Sequence, residues 1–189
     1  MKIITNVEEH YDCIEKMLDS SPDSVFISTY GIYAGLLHDG RDANLFGPKY
    51  KTRSIDVLKK MSSIKNAKVI IGLTEFNSCK PYCDECEMKY IHNLLRIKNH
   101  ADAFPSINFK MIRHNHLKCF IINKGGKYLG ITGGRNLSDS SWHDISFILG
   151  NDDCIKILEY AETVYESGVF ITDDTIAKFA NEQGISVIL

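Results

Sequence analysis

His116 and Lys118 stand two residues apart in the run Arg113-His114-Asn115-His116-Leu117-Lys118-Cys119-Phe120-Ile121-Ile122-Asn123. In an extended chain, side chains two apart point to the same face. The chain then returns through a glycine-rich segment to Gly133-Gly134-Arg135-Asn136. These residue types suit phosphodiester cleavage. That reaction needs a nucleophile, positive charge for the phosphoryl oxygens and a proton donor for the leaving oxygen. An imidazole can be nucleophile or acid near neutrality, a lysine supplies charge, and an asparagine at a glycine turn supplies an amide donor. A lone His-x-Lys describes a polar strand end equally well; the ordered set separates the two readings.

The elements that must position these groups can be read in turn. Residues 5–19 form an amphipathic pattern, with Val7, Tyr11, Ile14, Met17 and Leu18 at helical spacing and Thr5 or Asn6 as N-cap. Ser24–Tyr30 reads as a strand, 31–51 as a glycine-rich loop with a short helical turn around Ala34–Leu37, and 53–64 as a helix. Val69–Leu73 is a continuous apolar strand of the kind buried on both faces. A helix ends near His100, and strands follow at 107–112, 117–122, 127–132 and 145–149. The second and third of these form a hairpin around Asn123-Lys124-Gly125-Gly126. Asn151-Asp152-Asp153 is expected to cap a helix that Gly168 ends. A strand near 169–172 and a helix over 173–182 complete the pattern, which predicts one domain over 1–189: an α/β sandwich on a mixed sheet.

A hydrophobic content of 44% with 24% charged residues is that of a globular protein. No apolar run approaches a membrane span and residues 1–13 have no signal-peptide core, so a cytoplasmic protein with reduced cysteines is expected. The net charge of −2 conceals segregation: residues 41–135 carry 18 basic and 7 acidic side chains, against 4 and 17 in the remainder. Positive charge around the His-x-Lys segment suits a polyanion. Nucleic acid is therefore favoured over a lipid head group, since no amphipathic basic helix marks a membrane surface.

The ordered set resembles the motif of the phospholipase D superfamily: His-x-Lys, four residues, Asp, about six residues, Gly-Ser or Gly-Gly, one residue, Asn. His116, Lys118, Gly133, Gly134 and Asn136 match. Asn123 stands at the Asp position, and nine residues rather than six separate it from Gly133. In that family the Asp is chiefly structural, and Asn retains its acceptor geometry. The hairpin Lys124-Gly125-Gly126 is expected to absorb the three extra residues without moving either strand. A carboxylate after the Asn-bearing turn often orients the family's imidazole, and Asp144 is the candidate by position.

The resemblance implies a phospholipase D-like α/β/α sandwich and a metal-independent mechanism through a phosphohistidine. A single motif in 189 residues resembles the small bacterial endonucleases of the superfamily, which form homodimers with the active site on the twofold axis. Arg113, His114 and Arg135 are candidate contacts to neighbouring phosphates. The alternatives are a phospholipid hydrolase or transferase, and a nucleic-acid-binding protein with a degenerate site.

Cys79-x3-Cys83-x2-Cys86 is a separate feature. Three thiols opening a helix could hold a structural zinc with His92 as fourth ligand, or could be reduced cysteines packed as small hydrophobes. The spacing also resembles the iron–sulfur ligands of radical S-adenosylmethionine enzymes. Against that, Glu85 replaces the usual aromatic, and the chain is short for their barrel. Cys13, Cys119 and Cys154 lie in apolar patterns and are expected in the core.

Overall fold

The computed structural model describes residues 2–30, 48–73, 84–135 and 145–185. They build one mixed sheet of eight strands: β1 (Lys2–Ile4), β2 (Ser24–Thr29), β3 (Asn66–Leu73), β4 (Asn108–Arg113), β5 (Cys119–Lys124), β6 (Lys127–Gly133), β7 (Ser146–Leu149) and β8 (Val169–Phe170). Their spatial order is β1-β7-β6-β5-β2-β3-β4-β8. β2, β3 and β4 run parallel, and every other pairing is antiparallel. The carboxyl ends of the parallel strands therefore share an edge with the start of β5 and the end of β6.

Five helices cover the sheet: α1 (Val7–Asp19), α2 (Pro48–Met61), α3 (Asp84–Ala103), α4 (Asn151–Ser167) and α5 (Asp173–Asn181). Alternation along the strands divides the core in two. Val25, Ile27, Val69, Ile71, Phe120 and Ile122 pack with α1, α2, α3 and α5. Their neighbours Phe26, Ile70, Cys119 and Ile121 face α4 through Cys154, Ala161 and Tyr165. The result is an α/β/α sandwich: the pattern of elements predicted the α/β sandwich on a mixed sheet, and helices pack on both its faces. Cys119 and Cys154 are buried in it, and Cys13 packs at its margin.

Local chemistry explains the element boundaries. Asn6 caps α1, its Oδ1 accepting from the Glu9 amide at 2.7 Å. Arg53 of α2 clamps α1 by donating to Glu15, Glu8 and Asp12 at 3.0, 2.8 and 2.6 Å. Tyr11 and Ser54 hydroxyls meet at 2.6 Å beside that clamp.

Three expectations are corrected, and one strand was not anticipated. α2 begins at Pro48, so residues 48–51 are helical rather than loop; proline is suited to a first helical position, where its missing N–H costs nothing. The strand β1 went unread because three residues at an edge carry no period. Asn151 does not cap α4: Gly150 holds that position, and Asn151 Oδ1 accepts from the Tyr128 amide of β6 at 2.9 Å. The hairpin has no slack to absorb an insertion, because Lys124 pairs directly with Lys127 across Gly125-Gly126. With φ of 58° and 79°, the two glycines fit the tight primed turn favoured between twisted strands.

Candidate active site

The segment between β4 and β5 lies at the carboxyl edge of the parallel strands, where open α/β sheets commonly bind ligands. It lies outside the ladder, and a polar network pins it. Asn115, 6% exposed, donates from Nδ2 to Ser28 Oγ at 2.9 Å. The Ser28 hydroxyl donates onward to the Leu117 carbonyl at 2.9 Å, and the Leu117 amide donates to Asn115 Oδ1 at 3.1 Å. The entry is set by His114 in the left-handed region, at φ 60°. Gly72 leaves room for the segment, since a Cβ there would lie 2.2 Å from the Asn115 carbonyl oxygen.

This pinning sets both His116 and Lys118 against one aromatic ring, that of Tyr30. The exposed His116 ring stacks on Tyr30, with centroids 4.3 Å apart and planes tilted by 32°. Lys118 Nζ lies 5.5 Å from the centroid of the same ring and donates to the His116 carbonyl at 2.9 Å. Gly133 comes opposite Lys118, donating its amide to the Lys118 carbonyl at 3.3 Å, while Thr132 Oγ1 donates to that oxygen at 2.9 Å. Gly134 donates to the Ile145 carbonyl at 3.0 Å. Both glycine amides are thus used within the chain, and what these positions offer is backbone without side chains. A Cβ on Gly133, at φ 153°, would lie 2.2 Å from the Ile145 carbonyl oxygen.

Behind Lys118 is a cavity of about 20 Å³, room for about one water, lined in part by His10, Ser28, Thr132, Arg135 and Ser146. His10 is 8% exposed, and its Nδ1 lies 3.1 Å from Ser146 Oγ. Burial, and then the nearby Arg135 guanidinium, hold its imidazole down to about pKa 4. At neutral pH His10 is therefore an uncharged structural partner.

The remaining candidates divide. Arg135 was read as a surface phosphate contact; it is instead 5% exposed and donates to the Thr5 carbonyl at 3.0 Å. Arg113 pairs with Glu182, the C-cap of α5, at 2.6 Å, with its guanidinium 5.2 Å from the Phe179 ring centroid. That commitment sets it against α5 rather than open to a phosphate. His114 is exposed beside His116. Asn123 lies at the far end of β5, about 16 Å from Lys118 at strand rise, and its Oδ1 accepts from the Gly126 amide at 3.0 Å. Asn136 and Asp144 lie outside the described residues, as do Cys79 and Cys83. Cys86 and His92 fall within α3, but their side chains are outside the described set. Among the described residues, no group of three or more His, Cys, Asp or Glu side chains could hold a metal ion.

Sequence reasoning missed Tyr30, Ser28, Asn115, Gly72 and His10. One signal was present: Ser28 interrupts an apolar strand and has to find a buried partner. The others depend on contacts across the chain that no local pattern carries.

No protein-family model matches the sequence, and no curated protein matches it. The fold is that of a mixed-sheet α/β/α sandwich, and a solved structure shares it. A polyphosphate kinase from Porphyromonas gingivalis superposes with a TM-score of 0.52 at 11% identity, over 88% of this chain and 26% of that one. TrmBL2, an archaeal chromatin protein described with a novel mode of DNA binding, gives 0.46 at 9% identity, over 88% and 52%. The chain thus spans about half of one neighbour and a quarter of the other. Among the described residues, no helix is long and apolar enough to cross a membrane.

Proposed function

We propose that this protein is a metal-independent phosphodiesterase of phospholipase D-like type, acting on nucleic acid as a nuclease at a homodimer active site. The observation that carries the reading is the convergence of His116 and Lys118 on Tyr30, with Gly133 opposite Lys118 at the carboxyl edge of the parallel strands. An exposed imidazole that shares an aromatic neighbour with an ammonium can attack a phosphate whose charge that ammonium offsets. The polyphosphate kinase of similar fold acts, by its name, on a phosphate polymer. That likeness is one of fold, and the function is argued from the site.

One imidazole cannot be nucleophile and leaving-group acid in the same step. His10, the imidazole lining the cavity beside Lys118, stays neutral at pH 7 and is tied to Ser146, so it is no proton donor there. In the proposed dimer, His116 of one protomer attacks phosphorus. The P–O bond breaks as His116 of the other protomer donates its proton to the leaving oxygen. Water then attacks the phosphohistidine, giving up a proton to the second histidine, and the P–N bond breaks. Lys118 and Asn136 of both protomers hold the charge on the phosphoryl oxygens, and Asp144 orients the imidazole. No cofactor is needed, and cytoplasmic nucleic acid is the substrate.

The test is cleavage of plasmid and single-stranded DNA and of RNA in excess EDTA, with light scattering to give the mass in solution. Cleavage by a dimer, lost in His116→Ala with a phosphohistidine trapped only in the wild type, is the expected result. A fully active His116→Ala protein would sink the mechanism. Salt-sensitive binding without cleavage would favour a degenerate binding module, and turnover of phospholipid vesicles alone would favour a lipid enzyme.

A further inference from the structure

Tyr30 follows the last residue of β2 and touches both members of the His-x-Lys pair. Three features fix the relation. The neighbouring Ser28 is tied to Asn115 and Leu117, which flank His116, so the ring and the imidazole are carried by one hydrogen-bonded unit. Gly72 on β3 leaves space on one side, since a Cβ there would come 3.2 Å from Tyr30 Cδ2. The ring is half-buried while His116 is exposed, so the aromatic is the fixed partner and the imidazole the one being held.

We propose that Tyr30 is a positioning residue for this site: its aromatic face, rather than its hydroxyl, orients the His116 imidazole and gathers the Lys118 ammonium beside it. The role in reaction rests on the phosphodiesterase reading above. The physical basis is the ring quadrupole, whose negative face attracts cations. An exposed imidazole on a short connecting segment would otherwise sample several rotamers. Stacking selects among them, and attraction to the shared ring offsets repulsion between Lys118 and a protonated His116. Substrate phosphate can then meet both groups without first ordering them.

The experiment has two arms. In the first, the His116 ring protons are assigned by NMR from their absence in His116→Gln, without substrate. They are expected upfield in the wild type through the ring current, upfield also in Tyr30→Phe, and near the position of an unstacked histidine in Tyr30→Leu. In the second, cleavage of a single-stranded oligonucleotide is followed in the same proteins. Tyr30→Leu is expected to lose about 10–100-fold in kcat with KM within about threefold, and Tyr30→Phe to stay within about twofold of wild type. Unshifted wild-type ring protons, full kcat in Tyr30→Leu, or Tyr30→Phe behaving as Tyr30→Leu would each overturn the proposal. If Tyr30→Leu does not fold, the wild-type shifts and Tyr30→Phe decide. If the protein cleaves nothing, the nuclease reading falls and the first arm alone decides whether Tyr30 holds His116.

Discussion

Asn115 donates to Ser28 across the sheet edge at 2.9 Å, and through that bond β2 holds the segment carrying His116 and Lys118. Both side chains are almost wholly buried, at 6% and 2% exposure, so neither can exchange its partner for bulk water. Removing a partner from such a pair leaves the other group desolvated and unpaired.

Asn115→Ala is therefore expected to cost about 1–3 kcal/mol in urea unfolding. It orphans the Leu117 amide as well as removing the donor to Ser28. Because those atoms flank His116, cleavage measured well below the unfolding midpoint should fall further than the lost folded fraction explains. Unchanged stability together with unchanged cleavage would show that the network does not hold the segment.

Gly72→Ala tests the same relation from the other side. Its new Cβ would lie 2.2 Å from the Asn115 carbonyl oxygen, a backbone atom that cannot rotate away. The segment must shift, at a cost of about 1–3 kcal/mol as in other overpacked sites. Gly125→Ala serves as a contrast: a Cβ there meets nothing within 4 Å, though its φ of 58° still costs roughly 1 kcal/mol. Gly72→Ala should thus lose cleavage as well as stability, and Gly125→Ala stability alone. Equal cleavage by the two folded variants would dissociate Gly72 from the site.

How far the sequence reveals this arrangement depends on whether a local rule or a distant contact sets each part. The α1 periodicity, the buried β3 run and the glycine turn between β5 and β6 are local, and each could be read directly. His116 and Lys118 were legible because their relation is a two-residue spacing. Arg135 was misread because an arginine beside a glycine turn looks solvated. Its burial depends on α1 bringing His10 and the Thr5 carbonyl against the end of β6. Tyr30 read as one more strand residue because its partner lies 86 positions further along the chain.

Asn123 departs from the phospholipase D-like pattern, and its place in the hairpin decides what that departure does. Its Oδ1 accepts from the Gly126 amide at 3.0 Å, a bond an aspartate could make equally well. Its distance of about 16 Å from Lys118 removes it from the reacting groups. Asn123→Asp is expected to leave cleavage unchanged, and Asn123→Ala to lose about 1 kcal/mol of stability with near-wild-type cleavage once folded. A rise in cleavage of tenfold or more on Asn123→Asp would mean that a carboxylate there acts on the site.

His10 gives the fold a dependence on acid that its substitution should reveal. Buried against Ser146 and beside Arg135, its imidazole is held down to about pKa 4, whereas in the unfolded chain it titrates near 6.5. Between those values the unfolded state binds the extra proton, so stability rises with pH. The contribution is fully present above pH 6.5 and is lost as pH falls toward 4. It amounts to roughly 1.4 kcal/mol per unit, and to no more than about 3.5 kcal/mol in all. Urea unfolding from pH 7.5 to 4.5 should therefore show a shallower loss of stability in His10→Gln than in the wild type, even if the variant is less stable at pH 7.5. Parallel profiles for the two proteins would show that His10 is not held neutral by the fold. A steeper loss in the variant would reverse the assigned sign.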